Sequence, residues 1–397
     1  NTFKLSRYDA VCLDFDNTLV QYNLTNLFHL HYKYLTTYLI QKKGYKNLQT
    51  VMNENDIDFI RKGLFMDFDR GNILNISAKG TILSASHGTK MLNKNEIIDL
   101  YGPEMRWSPV DLLIKDKLAI NRSIPTAETY SFLDFTDIPA ILVYAKIIDL
   151  VDEQNIKDYK PVWSHVIGAV IDMYRLDSEF IKTFHANVSE YVYKCNEEMI
   201  GWLQRLKEHC RLMLISSATP QTMNYLAKYC LGQNWESMFH TIIDSAGKPN
   251  FFIGKNSFKN RNDQEIVLKT CCGYYKNGNW QDLHDTLSRE LGRPAKCVYI
   301  GDNLIHDVYA PSLISTLDSV SIVEEAQAEG YFTGLHPHSE YIRSDFWGSC
   351  FLYDGMATLI GDIVMKHSKL CVPSLIYLAK KPLDYSHTPF WVSQFTN

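Results

Sequence analysis

Apolar and polar positions along this chain fall into a strand-and-helix rhythm at both ends, separated by a long middle stretch with a different pattern. Ala10-Val11-Cys12-Leu13 is an unbroken apolar run that ends directly at Asp14, as expected of a strand covered on both faces in a parallel sheet. Leu24, Leu27, Phe28, Leu35 and Leu39 then recur at spacings that build one apolar helix face, and Gly44 supplies a stop. Ile73, Ile76, Ile82 and Leu83 around Lys79-Gly80 predict a β-hairpin over 72–88, after which helical patterns dominate to about residue 190. The most apolar stretch, 138–151, is interrupted by Lys146 and Asp149 and is too short to span a bilayer, so it reads as a buried helix.

The βα rhythm returns after residue 195: a helix over 197–208, a strand over 212–215 ending at Ser216, and a helix carrying Met223, Leu226 and Cys230. Thr241-Ile242-Ile243 leads into Asp244, a helix over 283–291 precedes the strand 297–300 that runs into Gly301-Asp302, and 319–323 reads as one more strand. The expected architecture is α/β, a parallel-sheet core from 1–23 and 190–397 split by a large, mostly helical insertion over 24–189 after the first core strand. Open parallel sheets bind ligands at the carboxyl ends of their strands, where Asp14, Ser216 and Asp302 fall, and Lys248 follows within a few residues of another strand end.

Those residue types specify a chemistry. In Asp14-Phe15-Asp16-Asn17-Thr18 a turn at the strand end can aim both carboxylates at one phosphate, Asp14 attacking phosphorus to form an aspartyl-phosphate and Asp16 protonating the departing oxygen, then deprotonating water. Two anions repel a phosphate dianion, so cations are required; Asp14, Asp302 and the Asp16 backbone carbonyl offer hard oxygen ligands suited to Mg²⁺. Lys248 adds a second positive charge, and Ser216, with Ser217 and Thr18, contributes to phosphate binding. Asp307, five residues after Asp302, reads as a further metal ligand or its support, and Asn303 as part of the turn between them. The segment Asp67-Phe68-Asp69-Arg70-Gly71 has two acids but no Thr and no evident strand before it, and is expected to be a loop.

Composition narrows the partners. A chain of 397 residues exceeds the usual size of a single undivided core, and 46% hydrophobic residues suffice to bury two. A net charge of -5 and a pI near 6.2 give no general attraction to nucleic acid or an anionic membrane, which leaves a small phosphomonoester as the expected partner. The nine cysteines are odd in number, scattered and without a Cys-x-x-Cys pair, as fits a reducing, cytoplasmic compartment.

The motifs Asp14 to Thr18, Ser216, Lys248 and Asp302 to Asp307 occur in the order found in the haloacid dehalogenase (HAD) superfamily, which this chain resembles. Within it, Gly71-Asn72-Ile73-Leu74, His87-Gly88, Gly247-Lys248-Pro249 with Phe251-Phe252, and Tyr299-Ile300-Gly301-Asp302 are similar to the cytosolic purine 5′-nucleotidase family. The resemblance implies a Rossmann-like core, a helical cap between the first and second motifs, Mg²⁺, self-association, and activity on nucleoside 5′-monophosphates. Purine nucleotidases carry Thr-Asn-Ser at the second motif where this chain has Ser216-Ser217-Ala218, and Asp172, Arg175, Lys182 and His185 do not reproduce their nucleotide-gripping series. Two further readings stay open: a phosphatase for another small metabolite, and a regulatory protein that keeps the phosphate site without turnover.

Overall fold

Because Val11, Cys12 and Leu13 have no polar side to turn to solvent, the run Ala10–Leu13 (β1) is stable only between two neighbours and under cover on both faces, and all four of its residues are buried. In the computed structural model, which describes residues 2–120, 129–334 and 342–394, β1 pairs in parallel with Arg211–Ile215 (β2) on one side and Cys297–Gly301 (β4) on the other. Thr241–Asp244 (β3) lies beyond β2, and Leu317–Ile322 (β5) and Leu370–Val372 (β6) lie beyond β4, all parallel. The spatial order is therefore β3-β2-β1-β4-β5-β6, extended past β3 by Gly273–Asn277, Phe258–Lys259 and Glu265–Ile266 to nine strands. This is the doubly wound order, and it reverses between β1 and β4, the point at which such sheets bind ligands beyond their strand ends. Asp14 and Asp302 are the residues that follow them.

The sheet belongs to one of two compact units, Asn1–Tyr22, Val192–Leu335 and Ile363–Asn397. Helix Glu197–His209 starts at an Asn196 cap, buries Met199, Trp202, Leu203 and Leu206, and packs on β2. Helix Trp280–Leu291 begins at an Asn279 cap and ends at Gly292, whose φ of 67° supplies the left-handed terminator.

The other unit comprises Asn23–Tyr191 and His336–Asp362, the second piece being a stretch that the sequence alone leaves with the core. Its helices Leu24–Lys43, Ala140–Glu153 and Lys160–Met173 pack on one another. The expected hairpin forms as Asn72–Ile76 against Ile82–His87, but it is part of a five-stranded antiparallel sheet that also takes in Lys90–Met91, Leu64–Asp67 and Tyr130–Phe132. The stretch thus carries three strands beyond the hairpin expected from the sequence. Leu64–Asp67 is buried at every residue, so it shows no alternation by which a strand could be recognised. Phe68–Gly71 form the expected turn, but a strand precedes it and Asp67 is that strand's last residue, accepting hydrogen bonds from Tyr101 Oη at 2.7 Å and Arg70 Nη1 at 3.1 Å. That carboxylate has a structural role.

Candidate active site

The side chains that follow the strands are placed by loop geometry that the strand ends impose. Leu13 pairs with Ile300, and the Asp14 N–H continues the ladder to the Ile300 carbonyl at 2.9 Å, which sets Asp14 beside the end of β4. Past Asp14 the chain turns sharply: Asn17 takes a φ of 51°, and the Val20 N–H returns to the Phe15 carbonyl at 2.9 Å. Thr18 is carried into the interior at 1% exposure, and its hydroxyl makes no hydrogen bond among the described residues. Asp16 is half-buried, and its Oδ1 accepts a hydrogen bond from Tyr22 Oη at 2.6 Å.

At the end of β2 the buried Ser216 uses its Oγ to accept the Ala218 N–H at 3.0 Å, while the exposed Ser217 accepts the Lys248 N–H at 2.9 Å. The loop after β3 is held to the same segment, the Ser245 N–H bonding the Ala218 carbonyl at 3.0 Å and the Ala246 N–H the Ser216 carbonyl at 2.9 Å. Left-handed backbone at Ser245 and Gly247 then reverses the chain. Lys248 Nζ thereby reaches Asp14 Oδ1 at 2.6 Å, Asp307 Oδ1 at 2.6 Å and Tyr299 Oη at 3.0 Å, so all three ammonium donors are engaged.

After β4, Asn303 caps a π-helical turn Leu304–Tyr309, its Oδ1 accepting from the N–H groups of Ile305 at 3.2 Å and His306 at 3.0 Å. The turn folds Asp307 back toward the strand end, where its Oδ2 accepts the Asn303 N–H at 3.0 Å. A β-carbon at Gly301 would lie 2.5 Å from Asp307 Cβ, so this approach requires a glycine.

Asp14, Asp302 and Asp307 are all buried, and one carboxylate oxygen from each lies within 4.8 Å of the others. Against these three acids the cluster sets a single ammonium, Lys248, among the described residues. Burial alone would depress the Lys248 ammonium, but the Asp14 and Asp307 charges outweigh it and hold the group well above its ordinary value. Asp14 is pushed well above the usual carboxylate range by burial and then by the Asp307 charge, with Lys248 opposing both. The cluster is therefore short of positive charge, and its donors are hard oxygens. A divalent cation of the Mg²⁺ type fits both conditions.

Of the side chains singled out in the sequence, Asp14, Lys248, Asp302 and Asp307 converge here. The Asp16 carboxylate is instead engaged by Tyr22, and the Asn303 side chain caps the turn rather than joining the cluster. In the other unit, Arg175 pairs with Asp177 at 3.1 Å and Lys182 with Glu179 at 2.7 Å, all four being solvent-exposed, and Asp172 accepts from Tyr34 Oη at 2.6 Å. Tyr299 and Tyr22 have no role in the sequence reading. Tyr299 does carry a signal, a phenol in an otherwise apolar buried strand, whose hydroxyl must find partners; it donates to the Ile215 carbonyl at 2.8 Å and accepts from Lys248.

The sequence profile described as the 5′ nucleotidase family matches residues 1–339. The chain is 29% identical to 5′-nucleotidase domain-containing protein 1 of Bos taurus and 27% identical to that of Homo sapiens, each comparison covering 98% of this chain and 93% of the relative. Among solved structures, the putative HAD-hydrolase YfnB from Bacillus subtilis overlaps 80% of this chain and 90% of its own at 9% identity and a TM-score of 0.30, a superposition too loose to bear on this chain's chemistry.

Proposed function

This chain belongs to the 5′ nucleotidase family, and we propose that it is a Mg²⁺-dependent phosphomonoester hydrolase that acts on nucleoside 5′-monophosphates through an aspartyl-phosphate on Asp14. The observation that carries the reading is the convergence of Asp14, Asp302 and Asp307 with Lys248 at the switch point of the sheet. Asp14, Asp302 and Asp307 would hold the metal ion, which when bound supplies positive charge to the phosphate oxygens and to the carboxylates around them.

In this account an Asp14 carboxylate oxygen forms the bond to phosphorus as the ester oxygen leaves, and Asp16 delivers a proton to that oxygen. Tyr22, by fixing Asp16 Oδ1, orients the other oxygen for this transfer. A water then attacks the aspartyl-phosphate, gives its proton to Asp16, and releases inorganic phosphate with Asp14 restored. Lys248 orients Asp14 through Oδ1 and offsets negative charge as it spreads over the phosphoryl oxygens. Ser216, Ser217 and Thr18 lie on the loops after β2 and β1, and their hydroxyls, with the backbone N–H groups beside them, would bind the phosphoryl oxygens. The unit formed mainly by Asn23–Tyr191 would act as the cap that selects the leaving group.

Nine free thiols support a reducing compartment such as the cytoplasm. Among the described residues no helix is long and apolar enough to cross a membrane. The test is phosphate release from a panel of nucleoside 5′-monophosphates and sugar phosphates with and without Mg²⁺, for the native chain and Asp14→Asn. Metal-dependent release on nucleotides that Asp14→Asn abolishes supports the proposal. Equal release by both proteins refutes the nucleophile, preference for a sugar phosphate refutes the substrate, and no turnover on any ester favours a binding protein.

A further inference from the structure

A second set of metal-ligand side chains is brought together by residues outside the first: Cys271, Cys272 and Glu290. The two cysteines precede strand Gly273–Asn277, and Glu290 stands in the last turn of helix Trp280–Leu291. One sulfur from each cysteine and one Glu290 oxygen lie within 4.8 Å of one another. Cys271 Sγ is 2.7 Å from Glu290 Oε2, and Oε1 of the same carboxylate accepts from the Cys271 N–H at 2.9 Å and from Thr270 Oγ1 at 2.7 Å. Tyr275 Oη donates to the Thr270 and Cys272 carbonyls, both at 3.0 Å, so the loop bearing the two sulfurs is itself held in place. Cys271 is fully buried, Cys272 is half-buried and Glu290 is exposed, which closes the group on one side and leaves it open to solvent on the other.

We propose that Cys271, Cys272 and Glu290 form a site for a soft divalent cation of the zinc class, distinct from the carboxylate cluster at the ends of β1 and β4. Tetrahedral Zn²⁺ with bonds of about 2.3 Å to sulfur and about 2.0 Å to oxygen places two sulfurs about 3.8 Å apart and a sulfur and an oxygen about 3.5 Å apart. Ligand atoms already within 4.8 Å reach that geometry by small side-chain rotations, and the exposed Glu290 is the one able to move outward from its present contact with Cys271. Binding forms two metal–sulfur bonds and one metal–oxygen bond and releases the two thiol protons to water, the fourth position being taken by solvent on the open side. Burial and the neighbouring Glu290 hold the Cys271 thiol in its protonated form; a dication reverses this by replacing the proton that thiol and carboxylate share. Two thiolates favour Zn²⁺ over Mg²⁺, whereas the all-carboxylate cluster has the opposite preference. The ion would fasten the loop before Gly273–Asn277 to the end of helix Trp280–Leu291, on the β3 side of the sheet.

Co²⁺ reports this site without reference to catalysis, because only thiolate ligation produces an intense sulfur-to-cobalt charge-transfer absorption. The reduced full chain, held in excess Mg²⁺ to occupy oxygen sites, would be titrated with Co²⁺ and then with Zn²⁺ as competitor. The expected result is a charge-transfer band that saturates at one Co²⁺ per chain and is displaced by Zn²⁺. Cys272→Ser, which removes one of the two sulfur ligands, should diminish it, Glu290→Gln should weaken binding at least about tenfold, and Cys195→Ser should leave it unchanged. Cys272 is half-buried, so its serine variant is expected to fold, which circular dichroism would check. Absence of the band in the native chain, or an undiminished band in Cys272→Ser, would overturn the proposal.

Discussion

Replacing Gly301 with alanine perturbs the carboxylate cluster by a single methyl group. The new β-carbon would stand 2.5 Å from Asp307 Cβ and 2.6 Å from both Cγ and Oδ2. Ordinary carbon–carbon contact lies at about 3.5–4.0 Å, so Asp307 must withdraw by about 1 Å. Gly301 is not in the left-handed region, so the methyl introduces no backbone strain and the whole effect is transmitted through contact. Asp307 has nowhere to go: it is fully buried, with Oδ1 2.6 Å from Lys248 and Oδ2 accepting the Asn303 N–H at 3.0 Å. Displacement by about 1 Å at a reacting centre costs on the order of 10²-fold in rate, and overpacking of this kind costs about 1–3 kcal/mol in stability. Initial rates of phosphate release at saturating Mg²⁺ should therefore fall about 10²-fold in Gly301→Ala, while circular dichroism shows a folded protein with a lowered Tm. If the methyl acts through Asp307, adding Gly301→Ala to Asp307→Asn should cost much less than it does in the native background. Native kcat/KM in Gly301→Ala, or losses that simply add in the double variant, would refute the reasoning.

Three other perturbations follow from named contacts. Tyr299→Phe removes an acceptor from Lys248 and a donor to the Ile215 carbonyl, a loss of about 1–3 kcal/mol; kcat should fall about tenfold, and a native kcat would show that Lys248 is positioned without the phenol. Tyr22→Phe should lower kcat about tenfold with little change in KM, because it orients Asp16 without touching phosphate in this account; a raised KM at native kcat would contradict that role. In the other unit, Asp137 is pushed up to about 8 by burial and by the Asp134 charge. A carboxyl raised from 3.8 to about 8 adds stability that is complete below its unfolded value and lost as pH rises through 8, by at most about 6 kcal/mol before allowance for the part of the residue that stays exposed. Tm should thus decline between about pH 4 and 8 and flatten in Asp137→Asn; parallel profiles would exclude Asp137 as the cause.

The parts of this protein legible in its sequence are those where one local pattern has one physical reading. An apolar run closed by an acid, as at Leu13-Asp14 and Ile300-Gly301-Asp302, suits a buried strand with its acid at the carboxyl end, and β1 and β4 have this form. Leu64–Asp67 has a similar form, yet no strand is evident there in the sequence because no alternation marks its faces, whereas the loop expected over Asp67–Gly71 is a turn from Phe68 onward. Tyr130–Phe132 is only three residues long, too short for any period to register. The roles of Tyr299 and Gly301 depend on partners brought by folding, Lys248 from the loop after β3 and Asp307 from the π-helical turn, and spacing along the chain does not disclose those contacts. Arg175 and Lys182 illustrate the converse, since plausible anion-binding side chains are satisfied by exposed acids on their own surface.

The central claim is that Asp14 becomes phosphorylated in turnover. Borohydride reduces an aspartyl-phosphate to homoserine, so the chain would be quenched with borohydride during steady-state hydrolysis of a nucleoside 5′-monophosphate in Mg²⁺, digested, and sequenced by mass spectrometry across residues 8–22. The account predicts homoserine at position 14, dependent on both substrate and metal. Continued phosphate release with Asp14 unmodified, or homoserine at Asp302 or another acid instead, would contradict it.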